Sequence, residues 1–110
     1  MEIVIKTSFL SSFKISLKAN KFEIHKYLFG IRFSSISITF NHFVLNLKHD
    51  SFYLYSENQR LSVIYCDDLW SDYLEFSVDK VKSITISHSK ELATIFKKLF
   101  EELESQENAK

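Results

Sequence analysis

The side chains able to do chemistry are few and scattered. His25, His42, His49 and His88 show neither an H-x-H nor an H-E-x-x-H spacing, the patterns that bring two imidazoles onto one metal. His42 and His49 lie at opposite ends of a predicted strand, roughly 20 Å apart at about 3.3 Å per residue, so they cannot share an ion within it. All four are expected as polar residues at turns. Cys66 is the single cysteine, which excludes an intramolecular disulfide and a cysteine-based zinc knuckle. It ends an apolar run beside Asp67 with no histidine near it in sequence, and reads as a small buried hydrophobe rather than a nucleophile. Asp67, Asp68 and Asp72 offer hard oxygens to a cation but lack the glycine-assisted turn of a calcium loop, and are expected as solvated acids. One glycine, Gly30, cannot build a glycine-rich phosphate cradle, and no G-x-S-x-G elbow occurs. The pattern calls for no catalytic residue, no metal and no cofactor.

Two surfaces suited to binding remain. The first is the loop Asp67, Asp68, Leu69, Trp70, Ser71, Asp72 and Tyr73. Trp and Tyr desolvate large areas for few immobilised bonds, and the surrounding acids would steer a basic protein partner. The opposing structural role for Leu69 and Trp70 is to fold back and plug one end of the sheet. The second is a strand face bearing Lys14, Ser16 and Lys18 with Lys21 nearby, which could meet nucleic-acid phosphates. That face has no interleaved aromatics for stacking bases, and the formal net charge of zero weakens its electrostatic case. A small hydrophobic ligand inside a Phe-rich interior is a further possibility.

These residues must be carried by strands. Phe13, Ile15, Leu17 and Ala19 alternate with Lys14, Ser16, Lys18 and Asn20, the period-two pattern of a strand with one apolar face. Asn20-Lys21 should turn the chain, because Asn tolerates positive φ. Phe22 and Ile24 open another strand whose apolar phase then flips to Tyr27, Phe29, Ile31 and Phe33, predicting a bulge or break near His25-Lys26, with Gly30 marking a close approach. Ile36 to Phe40 and Phe43 to Leu47 read as a hairpin about Asn41-His42. Further strands are expected at Phe52 to Ser56, Leu61 to Cys66, Tyr73 to Val78 and Val81 to Ser87. The hydroxyl rows Ser35-Ser37-Thr39 and Ser83-Thr85-Ser87 suggest flat faces and unpaired edges, and with them a homodimer.

The last stretch differs in kind. From Ser89 to about Glu104, Leu92, Ile95, Phe96, Leu99, Phe100 and Leu103 recur at steps of three and four, one stripe of an amphipathic helix. Ser89 is the expected N-cap, and Glu91 suits the positive end of the helix dipole. Burying the stripe, at roughly 1.5 to 3 kcal/mol per side chain, outweighs the Lys97/Glu101 and Lys98/Glu102 pairs at a few tenths each. Its polar face mixes acids with bases, unlike a calmodulin-target or membrane-surface helix.

The 110 residues make one β-rich domain over 1–104, with 105–110 as a frayed tail. Zero Pro, one Gly and twelve Lys against two Arg reflect an AT-rich genome such as that of a virus, plasmid or parasite. No apolar run approaches bilayer-spanning length, and a reducing, cytoplasmic setting is expected. Residues 1–48 hold seven Lys or Arg against two acids, and residues 49–110 seven against twelve. Folded onto opposite sides the halves make a basic and an acidic face, whereas interleaved strands cancel the asymmetry. Short links imply antiparallel meanders. The expected fold is α+β: about seven to nine strands in a strongly curved sheet or small barrel, covered by the C-terminal helix. That element order resembles the pleckstrin-homology-like superfold; no site residue carries over, because the basic first-hairpin motif and the helix Trp of its eukaryotic members are absent here. The expected function is a non-enzymatic protein-binding module, anchored by Trp70, Tyr73 and their acidic neighbours.

Overall fold

The computed structural model describes residues 1–68, 72–79, 81–87 and 89–108. Strands β1 (Glu2–Lys6), β2 (Ser11–Lys18), β3 (Lys21–Leu28) and β4 (Ile31–Thr39) form one antiparallel sheet in chain order. A second antiparallel sheet contains β5 (His42–Asn46), β6 (Ser51–Tyr55), β7 (Arg60–Asp67), β8 (Asp72–Val78) and β9 (Lys82–Ser87), and helix α1 (Leu92–Asn108) follows. The architecture is the expected α+β meander with a C-terminal helix. It is divided into two sheets, however, and neither closes into a barrel.

The division occurs at one corner. The Phe40 amide donates to the Asn20 carbonyl at 2.8 Å, and the next amide, Asn41, donates to Tyr55 at 2.8 Å. Two successive N–H groups thus belong to different sheets, so the expected Asn41-His42 hairpin is a crossover. Phe40 itself is buried, and its ring meets Phe43 edge-on at 6.1 Å. Splitting the meander lets two apolar faces bury each other, which one flat nine-stranded sheet could not do. The sheets also approach along their edge strands β4 and β9, which carry the two hydroxyl rows.

One core joins the layers. Phe13, Ile15 and Leu17 of β2 and Phe22 and Ile24 of β3 face Leu74 and Phe76 of β8 and Ile84 and Ile86 of β9. Phe22 and Phe76 stack across the sheets with ring centroids 5.8 Å apart. All six apolar stripe residues of α1 are buried, and Phe96 lies against Phe52 at 5.7 Å, Tyr65 at 6.1 Å and Phe100 at 5.9 Å. The helix begins at Leu92, three residues later than expected, and Ser89 Oγ accepts from the Glu91 amide at 3.2 Å in the turn ahead of it. At the other end the helix passes the expected limit at Glu104, and Gln106 Nε2 donates to the Ala19 carbonyl at 2.9 Å.

The turns depart from expectation in instructive ways. Between β2 and β3 the turn is Ala19-Asn20, one residue earlier than predicted, and Ala19 rather than Asn20 takes positive φ (50°). His25 lies within β3, not at a turn; His42 opens β5, and His49 ends a single turn of 3-10 helix at Leu47–His49. His88 lies outside the described residues. The ladder between β3 and β4 shifts between Lys26 and Tyr27, as the phase flip suggested, because Lys26 pairs with Ser34 and Tyr27 with Arg32. The extra residue is Phe33, on the opposite strand.

Truncating Phe96 to Ala removes the ring on which three others rest. Unfolding in urea is expected to show a loss of about 3–5 kcal/mol, against less than about 0.5 kcal/mol for Lys97→Ala on the wet face.

Candidate functional site

The Lys26/Tyr27 bulge re-aims the distal end of the β3–β4 hairpin. Beyond it, β3 and β4 are joined by the two-residue turn Phe29-Gly30, with φ of 54° and 77°. Two positive φ values are what a type I′ hairpin turn requires, and Asn-Gly is its favoured sequence. Gly30 is there for its φ and not for a close approach, since a Cβ at this position would meet nothing within 4 Å. Phe29 has no such licence: a Cβ-bearing, bulky residue in the left-handed region is disfavoured by about 1–2 kcal/mol.

Beside this turn runs the β1–β2 connection, Thr7 to Leu10, and the Phe29 amide donates to the Leu10 carbonyl at 2.8 Å. The two loops therefore form one end of the first sheet. Its side chains point into solvent: Phe9 is 96% exposed, Phe29 and Ile31 72%, Phe33 67% and Leu10 39%. The sequence pattern placed Phe29, Ile31 and Phe33 in the apolar phase of a strand; Ile31 and Phe33 do lie in β4, but exposed, and Phe29 is in the turn before it. Three phenylalanine side chains at 150–250 Å² apiece leave roughly 400 Å² or more of ring in water, within the range that marks functional patches.

One cation lies against the tip and two more are carried by the strands that lead into it. Lys26 Nζ sits 5.7 Å from the Phe33 ring centroid and 5.8 Å from that of Phe13, while Lys6 and Arg32 are exposed on β1 and β4. Behind it lies a crevice of about 450 Å³ lined by Thr7, Ser8, Ser11, Lys26, Thr85 and Ser87. Thr7 Oγ1 and Ser11 Oγ are 2.6 Å apart, and Ser8 Oγ accepts from the Leu10 and Ser11 amides at 3.2 Å each.

The two sequence-predicted surfaces fare differently. In the aromatic-acidic stretch, Leu69, Trp70 and Ser71 lie outside the described residues. Asp67 and Asp72 are not loop residues but cross-strand partners at the ends of β7 and β8, and Asp68 is exposed just beyond. Tyr65 Oη donates to Asp72 Oδ2 at 3.1 Å. Tyr73 stands opposite Cys66, and its hydrogen bond with that thiol is the main cause holding its phenol above the ordinary range. On the lysine face, Lys14 pairs with Glu2 at 3.6 Å and Lys21 with Glu23 at 3.0 Å. Glu23 also meets His25 Nε2 at 3.0 Å, and these partners, Lys21 first, lower its carboxyl pKa. Two of the three lysines thus already hold acids on the same face. A groove of about 310 Å³ runs between α1 and the 3-10 turn, bordered by Leu47, Tyr65, Phe96 and Phe100.

Replacing Phe29 by Asn should raise the unfolding free energy by about 1 kcal/mol, because Asn tolerates positive φ and no buried contact is lost; urea titration of the two proteins checks it. A second expectation concerns Tyr65, whose phenol is pushed up from 10.0 to about 12, chiefly by burial and then by Asp72. The folded chain holds that proton more tightly than the unfolded one. Its stabilisation is complete below the unfolded value near 10 and fades as pH rises through about 12. Unfolding free energy measured across that window should fall, and fall less in Asp72→Asn. No protein-family model, curated protein or solved structure matches the chain. Among the described residues no helix is long and apolar enough to cross a membrane, and no three of His, Cys, Asp and Glu converge as metal ligands.

Proposed function

We propose that this chain is a non-enzymatic docking module whose contact surface is the apolar tip of its first sheet. The observation that carries the reading is the group of Phe9, Leu10, Phe29, Ile31 and Phe33, exposed on two loops joined by a backbone hydrogen bond and on the start of β4. Apolar side chains gathered on adjoining turns gain nothing from this fold, and their burial against a second surface would stabilise a complex. The left-handed position at Phe29 points the same way, since a bulky side chain is held there in a strained turn although its ring gains no burial.

The basic surroundings refine the partner. The first sheet, residues 1–40, holds six Lys or Arg against Glu2 and Glu23, so the surface the tip meets should be electronegative. This reading keeps the binding-module class that the sequence suggests and moves the anchor from the Trp70 stretch to the opposite, basic half of the chain.

Photo-crosslinking tests it directly. A benzophenone amino acid at position 33 in cells should give adducts with protein or lipid, whereas the same residue at position 98, on the wet face of α1, should give few. An equal yield at the two positions, or adducts only from position 70, would sink the tip as the contact surface.

A further inference from the structure

We infer that the surface the tip meets is a lipid bilayer bearing anionic headgroups; this rests on the docking reading and names its partner. Four observations lead there.

The first is shape. Phe29 occupies the apex of a two-residue turn and Phe9 the neighbouring loop, so the apolar side chains protrude instead of lining a groove. A protein partner must offer a matching pocket for each of them, whereas the headgroup and acyl boundary of a bilayer accepts any protruding ring. The second is the state of the backbone. A loop that enters an apolar phase must bring its own hydrogen-bond partners. Here the amides of Thr7 and Ser8 donate to the Ser11 carbonyl, those of Leu10 and Ser11 to Ser8 Oγ, and that of Phe29 to the Leu10 carbonyl. Five donors of the tip are thus already satisfied without water.

The third is charge. No acid occurs between Glu2 and Glu23 or between Glu23 and Asp50, while Lys26 lies over the Phe33 ring and the exposed Lys6 and Arg32 sit at the ends of β1 and β4 that lead into the tip. Basic residues beside an inserting apolar group are the arrangement that anionic lipids attract. The fourth is the crevice behind the rings, whose lining joins Lys26 and the hydroxyl residues Thr7, Ser8, Ser11, Thr85 and Ser87 to the apolar Phe13 and Leu28. An ammonium and hydroxyl donors are the groups that hold a phosphate oxygen. With Phe9, Phe29 and Phe33 in the boundary, a lipid phosphate would come to rest in this crevice.

The full chain is to be sedimented with phosphatidylcholine vesicles and with phosphatidylcholine vesicles containing phosphatidylserine, at low and at physiological salt. The wild-type chain should pellet with the phosphatidylserine vesicles and pellet far less with the neutral ones. Phe29→Asn, which keeps the turn and the fold, should reduce the partition coefficient about tenfold or more, since a large side chain leaves the boundary. Arg32→Gln should reduce it about fivefold, the loss of one cation near an anionic surface, and should leave a shallower salt dependence.

Absence of pelleting with either vesicle would overturn the inference, as would equal pelleting with neutral vesicles or undiminished pelleting of Phe29→Asn. If pelleting is absent but position 33 still crosslinks to protein, or Phe29→Asn abolishes a dimer seen by sedimentation equilibrium, the docking reading stands with a different partner. If position 33 crosslinks to nothing either, both fall together.

Discussion

The structure depends on burying the stripe of α1. Each sheet has one apolar face, and two such faces placed together still leave an open side from which water would reach Phe52. The helix closes that side with Leu92, Ile95, Phe96, Leu99, Phe100 and Leu103, all buried. Phe96 is the centre of the arrangement because it touches the second sheet through Phe52 and Tyr65 and its own helix through Phe100. Dispersion and desolvation at such a junction are collective, so one ring supports several others. The Phe22–Phe76 stack then holds the first sheet onto the assembly that the helix has completed.

This order of dependence accounts for how charge is distributed. The chain crosses from one sheet to the other once, at Phe40-Asn41, so the strands of the two halves never interleave. The charge asymmetry in the sequence therefore survives folding: the first sheet is basic, while residues 41–87 hold seven acids against four bases. Had the strands alternated between layers, the same composition would have produced a neutral surface throughout.

Much of the architecture was legible in the residues. The helix stripe was legible in full, because six apolar positions at steps of three and four fit no strand and the core needed a cover. The strand expected from Phe13 to Asn20 was legible from its alternation, with Phe13, Ile15 and Leu17 inside, although it runs Ser11–Lys18 and leaves Ala19-Asn20 to the turn. The bulge was visible as a change of apolar phase. What alternation cannot say is which side of a strand is wet, and so Phe29, Ile31 and Phe33 looked like core. Their exposure comes from a turn that no propensity favours, with Phe in the left-handed region where Asn is usual. The crossover at Asn41 was hidden because a corner between sheets and a hairpin use the same residue types. Of the aromatic-acidic stretch, Tyr73 lies in the strand expected of it, while Asp67 and Asp72 turned out to be ladder residues, since opposed carboxylates at the end of a hairpin look like a loop in sequence.

One pair of bonds bears on how the molecule can be joined to anything else. The N-terminal amine donates to the Leu17 carbonyl at 3.0 Å, and Gln106, near the end of α1, donates to the Ala19 carbonyl at 2.9 Å. The first and last elements are thereby tied down two residues apart, beside the turn at the far end of β2 from Ser11. Eight residues of strand, roughly 25 Å at about 3.3 Å each, separate that place from the exposed phenylalanines. The tied-down first residue and the end of α1 therefore sit at one end of the first sheet, and the apolar front at the other.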